Sequence, residues 1–176
     1  MKNKKQNVVP VLKNSYLRAI RNSIGTKLFR NFYAKVDGKS RRKASRMLEI
    51  QTLPSAEKIS AKKDILHDGD LSCAYFVSCV LKIFDLIGKT HLTVEGTEAD
   101  MKKAGWKIVK VPNKGSVLVW EKKKFGKEEH SHIGFFIGNG KAISNSAKNK
   151  IPVEHSFTFG GKRRIQAIYW HKKLEK

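Results

Sequence analysis

Two cysteines are too few to staple a chain of 176 residues, so a disulfide framework is excluded. Cys73 and Cys79 lie on one apolar stretch, about 240° apart at helical geometry, so their thiols face different ways and both are expected reduced. Long apolar runs are also missing. The best one is interrupted by Lys82 and Asp85, which excludes a membrane-spanning helix. Met1-Lys2-Asn3-Lys4-Lys5 looks like the basic start of a secretion signal, but Val8–Leu12 is too short for its apolar segment and Lys13 ends it. The expected location is cytoplasmic, or outside the cell by a route without a recognisable signal. No internal repeat is visible, which excludes a solenoid.

Acidic residues are scarce: 15 Asp and Glu stand against 37 Lys and Arg, a formal net charge of +22. Such an excess implies a polyanionic partner (nucleic acid, an anionic membrane face or an anionic wall polymer) or a generally solvated basic surface. Aromatic residues are not interleaved with the basic runs, which argues against base stacking on single strands. Hydrophobic residues make up 40% of the chain, enough for one domain with a buried core and some appended material.

Along the chain, residues 1–10 read as a basic tail. Residues 11–36 read as an amphipathic helical extension, with Leu12, Tyr16, Leu17, Ile20, Ile24, Leu28, Phe32 and Val36 at helical spacing and Gly25 as a break. This helix either packs on the domain, completing its core or masking a cleft, or lies on an anionic membrane. Residues 37–63, with Lys39, Arg41, Arg42, Lys43 and Arg46, read as a basic loop or insertion. The compact domain spans 64–172. A helix follows Asp70 or Ser72 and ends by Gly88, and Thr97-Glu98-Ala99-Asp100 resembles a capping box for a second. Strands are expected at Trp106–Val111, Ser116–Trp120, His132–Ile137, Lys141–Ser144 and Ile165–Trp170, with a charged loop or hairpin tip over Glu121–Glu129 and a hairpin turn at Gly138-Asn139-Gly140. Helices followed by a run of antiparallel strands predict an α+β fold.

Two segments carry chemistry. Cys73 falls where a helix begins, and a helix N-terminus carries about half a positive charge. That position predicts a depressed thiol pKa, with the Cys73 N–H available to an oxyanion. Structural cysteines are common, and Cys79 reads as one. His132 stands at a strand entrance, and Gly134, on the same face, leaves room beside the imidazole. His130 and His132 share a strand face and also permit a metal reading, but no third and fourth ligand stand at fixed spacing. No cofactor motif is present.

The order Cys73, Phe76-Val77-Ser78, Gly115-Ser116-Val117-Leu118-Val119-Trp120 and His132-Ile133-Gly134-Phe135-Phe136-Ile137-Gly138-Asn139-Gly140 resembles the NlpC-type branch of the papain-like superfamily, including the CHAP amidases. Members of that branch cut peptide or amide bonds in bacterial cell walls. The resemblance covers about residues 64–171. It implies a papain-like core, Cys73 as nucleophile, His132 as base and a third polar residue that orients the imidazole. By offset from the turn the third position falls on Ser144. Asn145, beside it, is the better hydrogen-bond acceptor, and strand alternation allows only one of the two to face His132. Relatives carry Asp-Cys-Ser-Gly at the nucleophile, where this chain has Ser72-Cys73-Ala74-Tyr75, so Tyr75 is expected to narrow the cleft. The usual aromatic-Gly-Gly segment is replaced by Leu66-His67-Asp68-Gly69-Asp70. The implied substrate is a peptide or amide, with peptidoglycan first. The alternative is an inactive module of the same fold that binds a polyanion through its basic surface.

Overall fold

The computed structural model describes residues 11–35, 62–125 and 128–175; the basic tail and the Lys39–Arg46 run lie outside them. Helix α1 spans Leu12–Asn22 and buries Tyr16 and Ile20 completely. The helix ends at Asn22, just before the break expected at Gly25, and does not resume in residues 26–35. Ser23 turns its hydroxyl back onto the Ile20 carbonyl at 2.6 Å, and Gly25 follows at φ 78°. The chain then returns as a short strand, β1 (Tyr33–Lys35), antiparallel to β2 (Lys62–Asp64).

Helix α2 (Cys73–Ile83) is apolar nearly all round and forms the centre of the molecule. Helix α3 (Val94–Lys103) begins earlier than the expected capping box. Its cap is Thr93, whose Oγ1 accepts the Gly96 N–H at 3.0 Å, and Thr97 is buried inside the helix. The cap preference is for a hydroxyl at the true first turn, and Thr93 meets it without an acidic partner.

Strands β3 (Lys107–Ile108), β4 (Val117–Phe125), β5 (Glu128–Gly138), β6 (Lys141–Ser146), β7 (Ile151–Ser156) and β8 (Ile165–Trp170) form one antiparallel sheet in the order β3-β8-β4-β5-β6-β7. The fold class is therefore α+β. The stretch Glu121–Glu129 is expected as a loop or hairpin tip; its described residues continue β4 and β5 as paired strands, with a register shift between Trp120 and Lys123. Asn139 and Gly140 both take positive φ, 52° and 67°, the geometry that joins twisted strands with a two-residue turn. Strand β7 was not expected. Its Pro152 is tolerated because β7 lies at the sheet edge.

Helices α1 and α2 cover one face of the sheet, packing Tyr16, Phe76 and Val77 against Val117, Val119, Ile133, Phe135 and Ile143. The other face carries a smaller cluster of Leu118, Trp120 and Ala142, covered by Phe136, Phe157, Phe159, Ile165 and Ile168. Trp120 anchors that cover by donating its indole N–H to the Phe157 carbonyl at 2.8 Å. Among the described residues no helix is long and apolar enough to cross a membrane.

Helix α1 completes the core. The Tyr16 ring meets Phe84 and Phe135 edge-on at 5.7 and 5.8 Å, and its hydroxyl donates to the Gly115 carbonyl at 2.9 Å. Tyr16→Ala is therefore expected to cost about 3 kcal/mol in urea denaturation, the scale of truncating a large buried aromatic. A change under about 1 kcal/mol would show that α1 is an appendage.

Candidate active site

The chain before α2 is held from several sides. Asp64 accepts N–H bonds from Phe32, Leu66 and Asp68 and one from the Asn31 amide, at 2.7–3.1 Å. Asp68 is gripped by Arg30 at 2.7 Å and Lys150 at 3.1 Å, which hold its carboxyl far below the usual range. Asn145 donates to the Gly69 carbonyl at 2.8 Å. This scaffold presents Cys73 as the first residue of α2. Its Ser72 cap makes no side-chain bond to the helix, and no acid occupies the first turn. The helix end thus keeps its N–H groups and partial positive charge for the cavity in front of it.

His132 lies on β5 and, with Cys73, lines a cavity of about 1260 Å³. Its Nε2 is 2.8 Å from Ser144 Oγ, which is 2.8 Å from His155 Nε2. His155 Nδ1 in turn is 2.8 Å from the Ser156 carbonyl oxygen. A carbonyl can only accept, so His155 carries its proton on Nδ1. Its Nε2 then accepts from the Ser144 hydroxyl, and Ser144 accepts from His132 Nε2–H. The His132 Nδ1 is left with a lone pair. The imidazoles are packed as well as bonded: Phe159 stacks on His155 at 4.1 Å, and Trp120 lies 5.5 Å from His132.

Gly134 makes this chain possible. A Cβ there would fall 2.6 Å from the Ile143 carbonyl oxygen and 2.7 Å from Ser144 Cβ. The space expected beside the imidazole is thus taken by Ser144 itself.

Burial pushes the Cys73 thiol above its ordinary value. The N–H groups of Ile133, Ala74 and Cys73 and the charge of Arg163 pull it down without overcoming burial. The expected depression of the thiol pKa is therefore reversed, because the helix end is enclosed by the sheet. Burial, then the charges of Arg163 and His155, lower His132 to about 3. At rest the thiol and the imidazole are each neutral.

Of the expected site residues, Cys73, His132, Ser144 and Asn145 all line the cavity, and Ser144 is the one bonded to His132. The preference for Asn145 as the residue that orients the imidazole is corrected: the β6 pleat turns it to the opposite face, where it tethers the loop before Cys73. Tyr75 does not narrow the cleft. It packs against Phe29 and Phe32, with the Phe32 ring 5.4 Å away. Cys73 and Cys79 are free thiols. Among the described residues no three His, Cys, Asp or Glu side chains are placed to hold a metal. His155 and Arg163 were not singled out from sequence. His155 lies in a strand hidden by Pro152, and Arg163 stands between Lys162 and Arg164, where it reads as one of many surface charges. No protein-family model matches the chain, and no curated protein is detectably similar to it.

Alkylation of Cys73 by iodoacetamide, followed by mass spectrometry, is expected to be slow at pH 7 and to rise only on the alkaline side of an ordinary thiol. Rapid labelling below pH 7 would contradict the neutral pair. A second pH effect follows from His132. Unfolded, it binds a proton below about 6.5; folded, only near 3. Its contribution to stability is present above pH 6.5 and is lost as pH falls towards 3. Urea midpoints should fall over that window, and less steeply in His132→Phe; equal slopes would refute the assignment.

Proposed function

We propose that this protein is a papain-like cysteine hydrolase that cleaves peptide or amide bonds, with peptidoglycan stem peptides as the substrate its sequence resemblance suggests. The observation that carries the reading is the hydrogen-bonded series from His132 through Ser144 and His155 to the Ser156 carbonyl. It fixes one tautomer and leaves a lone pair on Nδ1 of a ring that lines the same cavity as Cys73. The nucleophile at the N-terminus of a helix packed on an antiparallel sheet supports a papain-like core.

The chemistry proceeds by general-base catalysis from the neutral pair. His132 Nδ1 takes the Cys73 proton as the sulfur bonds to the amide carbon, and His132 keeps its Nε2–H bond to Ser144 throughout. The carbonyl oxygen becomes an oxyanion beside the uncapped first turn of α2, where the Cys73 N–H is available. Collapse breaks the C–N bond, and the amine leaves with the proton from His132. Water then attacks the thioester with His132 again as base, releasing the acid and restoring the thiol. Ser144 alone would orient the ring weakly; His155, acting through it, is a positioning residue.

Hydrolysis of muropeptides and model peptide amides, followed by mass spectrometry, tests the reading. Cys73→Ala should abolish turnover, and His132→Ala should lower it about 10²–10⁴-fold. His155→Phe keeps the stacking on Phe159 but loses the acceptor, and should lower kcat about tenfold with little change in KM. His155→Gln, whose amide oxygen still accepts from Ser144, should recover most of that loss. Turnover unaffected by Cys73→Ala would sink the mechanism. Salt-sensitive retention on an anionic polymer would then favour the binding-module alternative, to which exposed Lys123 and Lys124 on the cavity lining and exposed Lys122, Lys162 and Arg164 are suited.

A further inference from the structure

Arg163 ends the loop that covers the second sheet face and lines the cavity with Cys73 and His132. It is held by neutral acceptors alone. Its Nε and Nη2 donate to the Glu121 carbonyl at 3.0 and 2.8 Å, and Nη2 also donates to the His130 carbonyl at 2.8 Å. The nearby Glu121 carboxylate is engaged by Arg164, through its backbone N–H at 3.0 Å and its guanidinium at 3.8 Å. Among the described residues no carboxylate lies within ion-pair distance of Arg163, although the Glu121 charge acts on it, and its Nη1 makes no hydrogen bond. A partly buried guanidinium is therefore fixed in place with Nη1 alone left to donate, and its charge acts on both Cys73 and His132.

We infer that Arg163 is the anchor for a carboxylate carried by the substrate next to the amide bond that Cys73 attacks. Three hydrogen bonds set the guanidinium plane before any ligand arrives, so little side-chain freedom remains to be lost on binding. A fixed guanidinium prefers a planar carboxylate to a neutral amide, because the charge-assisted bond is roughly twice as strong. The substrate class is then an acidic peptide, with the carboxylate on a side chain or at the chain end. This deepens the hydrolase reading and rests on Cys73 as its nucleophile, but its first test does not require turnover.

Iodoacetate and iodoacetamide differ only in carrying a carboxylate or an amide. Their rates at Cys73, measured at pH 9 by mass spectrometry, are compared with their rates on N-acetylcysteine. The iodoacetate-to-iodoacetamide ratio at Cys73 should exceed that of the free thiol about tenfold. It should fall close to the free-thiol value in Arg163→Gln and lie between the two in Arg163→Lys, which keeps the charge but loses the hydrogen bonds that fix its position. A wild-type ratio no higher than the free thiol's overturns the inference without any variant. So does a raised ratio that survives Arg163→Gln, or a Cys73 that neither reagent reaches.

Protection against iodoacetamide then distinguishes the two sources of the carboxylate. Short alanyl peptides with one carboxylate, at the C-terminus or on a Glu side chain, are compared with their amide counterparts. The protecting acid identifies the source, and protection by neither counts against the anchor. A raised ratio in a protein that hydrolyses nothing would leave Arg163 as an anchor while removing the hydrolase reading.

Discussion

The pleat of β5 governs this structure. Ile133, Phe135 and Ile137 turn towards the helices and are nearly or wholly buried in the main core, whereas His132, Gly134 and Phe136 turn to the other face. A slip of one residue would exchange the two sets, placing an imidazole among Phe76 and Val77 and three apolar side chains where the polar chain now runs. The register is therefore fixed by burial on one face and used for chemistry on the other. Cys73 starts a helix that belongs to the core, and its thiol receives the backbone N–H of Ile133, the residue next to His132.

The electrostatics of the site result from two opposing effects. Helix dipole, converging N–H groups and Arg163 favour a thiolate, while enclosure by the sheet disfavours any charge. Enclosure prevails in the resting protein, so both members of the pair stay neutral. A neutral imidazole can accept a proton only if its free nitrogen faces the donor, which makes the tautomer decisive. Here the tautomer is set from three residues away, by a backbone carbonyl that cannot donate. Serine, with one proton and two lone pairs, passes that polarity along unchanged.

Much of the fold was legible because periodicity reports burial. The alternation in residues 132–137 and 165–170, the Asn139-Gly140 turn and the apolar helix after Ser72 all appear where the pattern puts them. The failures share a physical cause: tertiary partners the sequence does not show. Helix α1 stops where Ser23 bonds back to Ile20, although the apolar spacing continues. Strands β4 and β5 run on through a charged stretch because cross-strand pairing stabilises residues with no apolar reason to be there. Strand β7 was concealed by a proline that only an edge position permits. In the site, Cys73, His132 and the Ser144/Asn145 pair were readable from order and spacing, but which of the last two meets the ring depended on the pleat. Asn145 is chemically the better acceptor and loses because its side chain points the other way.

That outcome explains why His155 matters to the geometry. A serine opposite an imidazole is a permissive partner, since its hydroxyl rotates to donate or accept. With His155 neutral and its Nε2 lone pair aimed at Oγ, the hydroxyl has one satisfying orientation, and the freedom that makes serine a weak orienter disappears. The price is a second half-buried histidine, tolerated because Phe159 stacks on its ring and the Ser156 carbonyl satisfies its proton. The loop that brings Phe159 also ends in Arg163, so one covering segment both locks the tautomer and delivers a fixed positive charge to the cavity. A basic surface can be assembled from exposed lysines anywhere on this chain. A guanidinium tied to two carbonyls in the cavity that holds the thiol differs from them because its position is determined by hydrogen bonds to the β4–β5 hairpin.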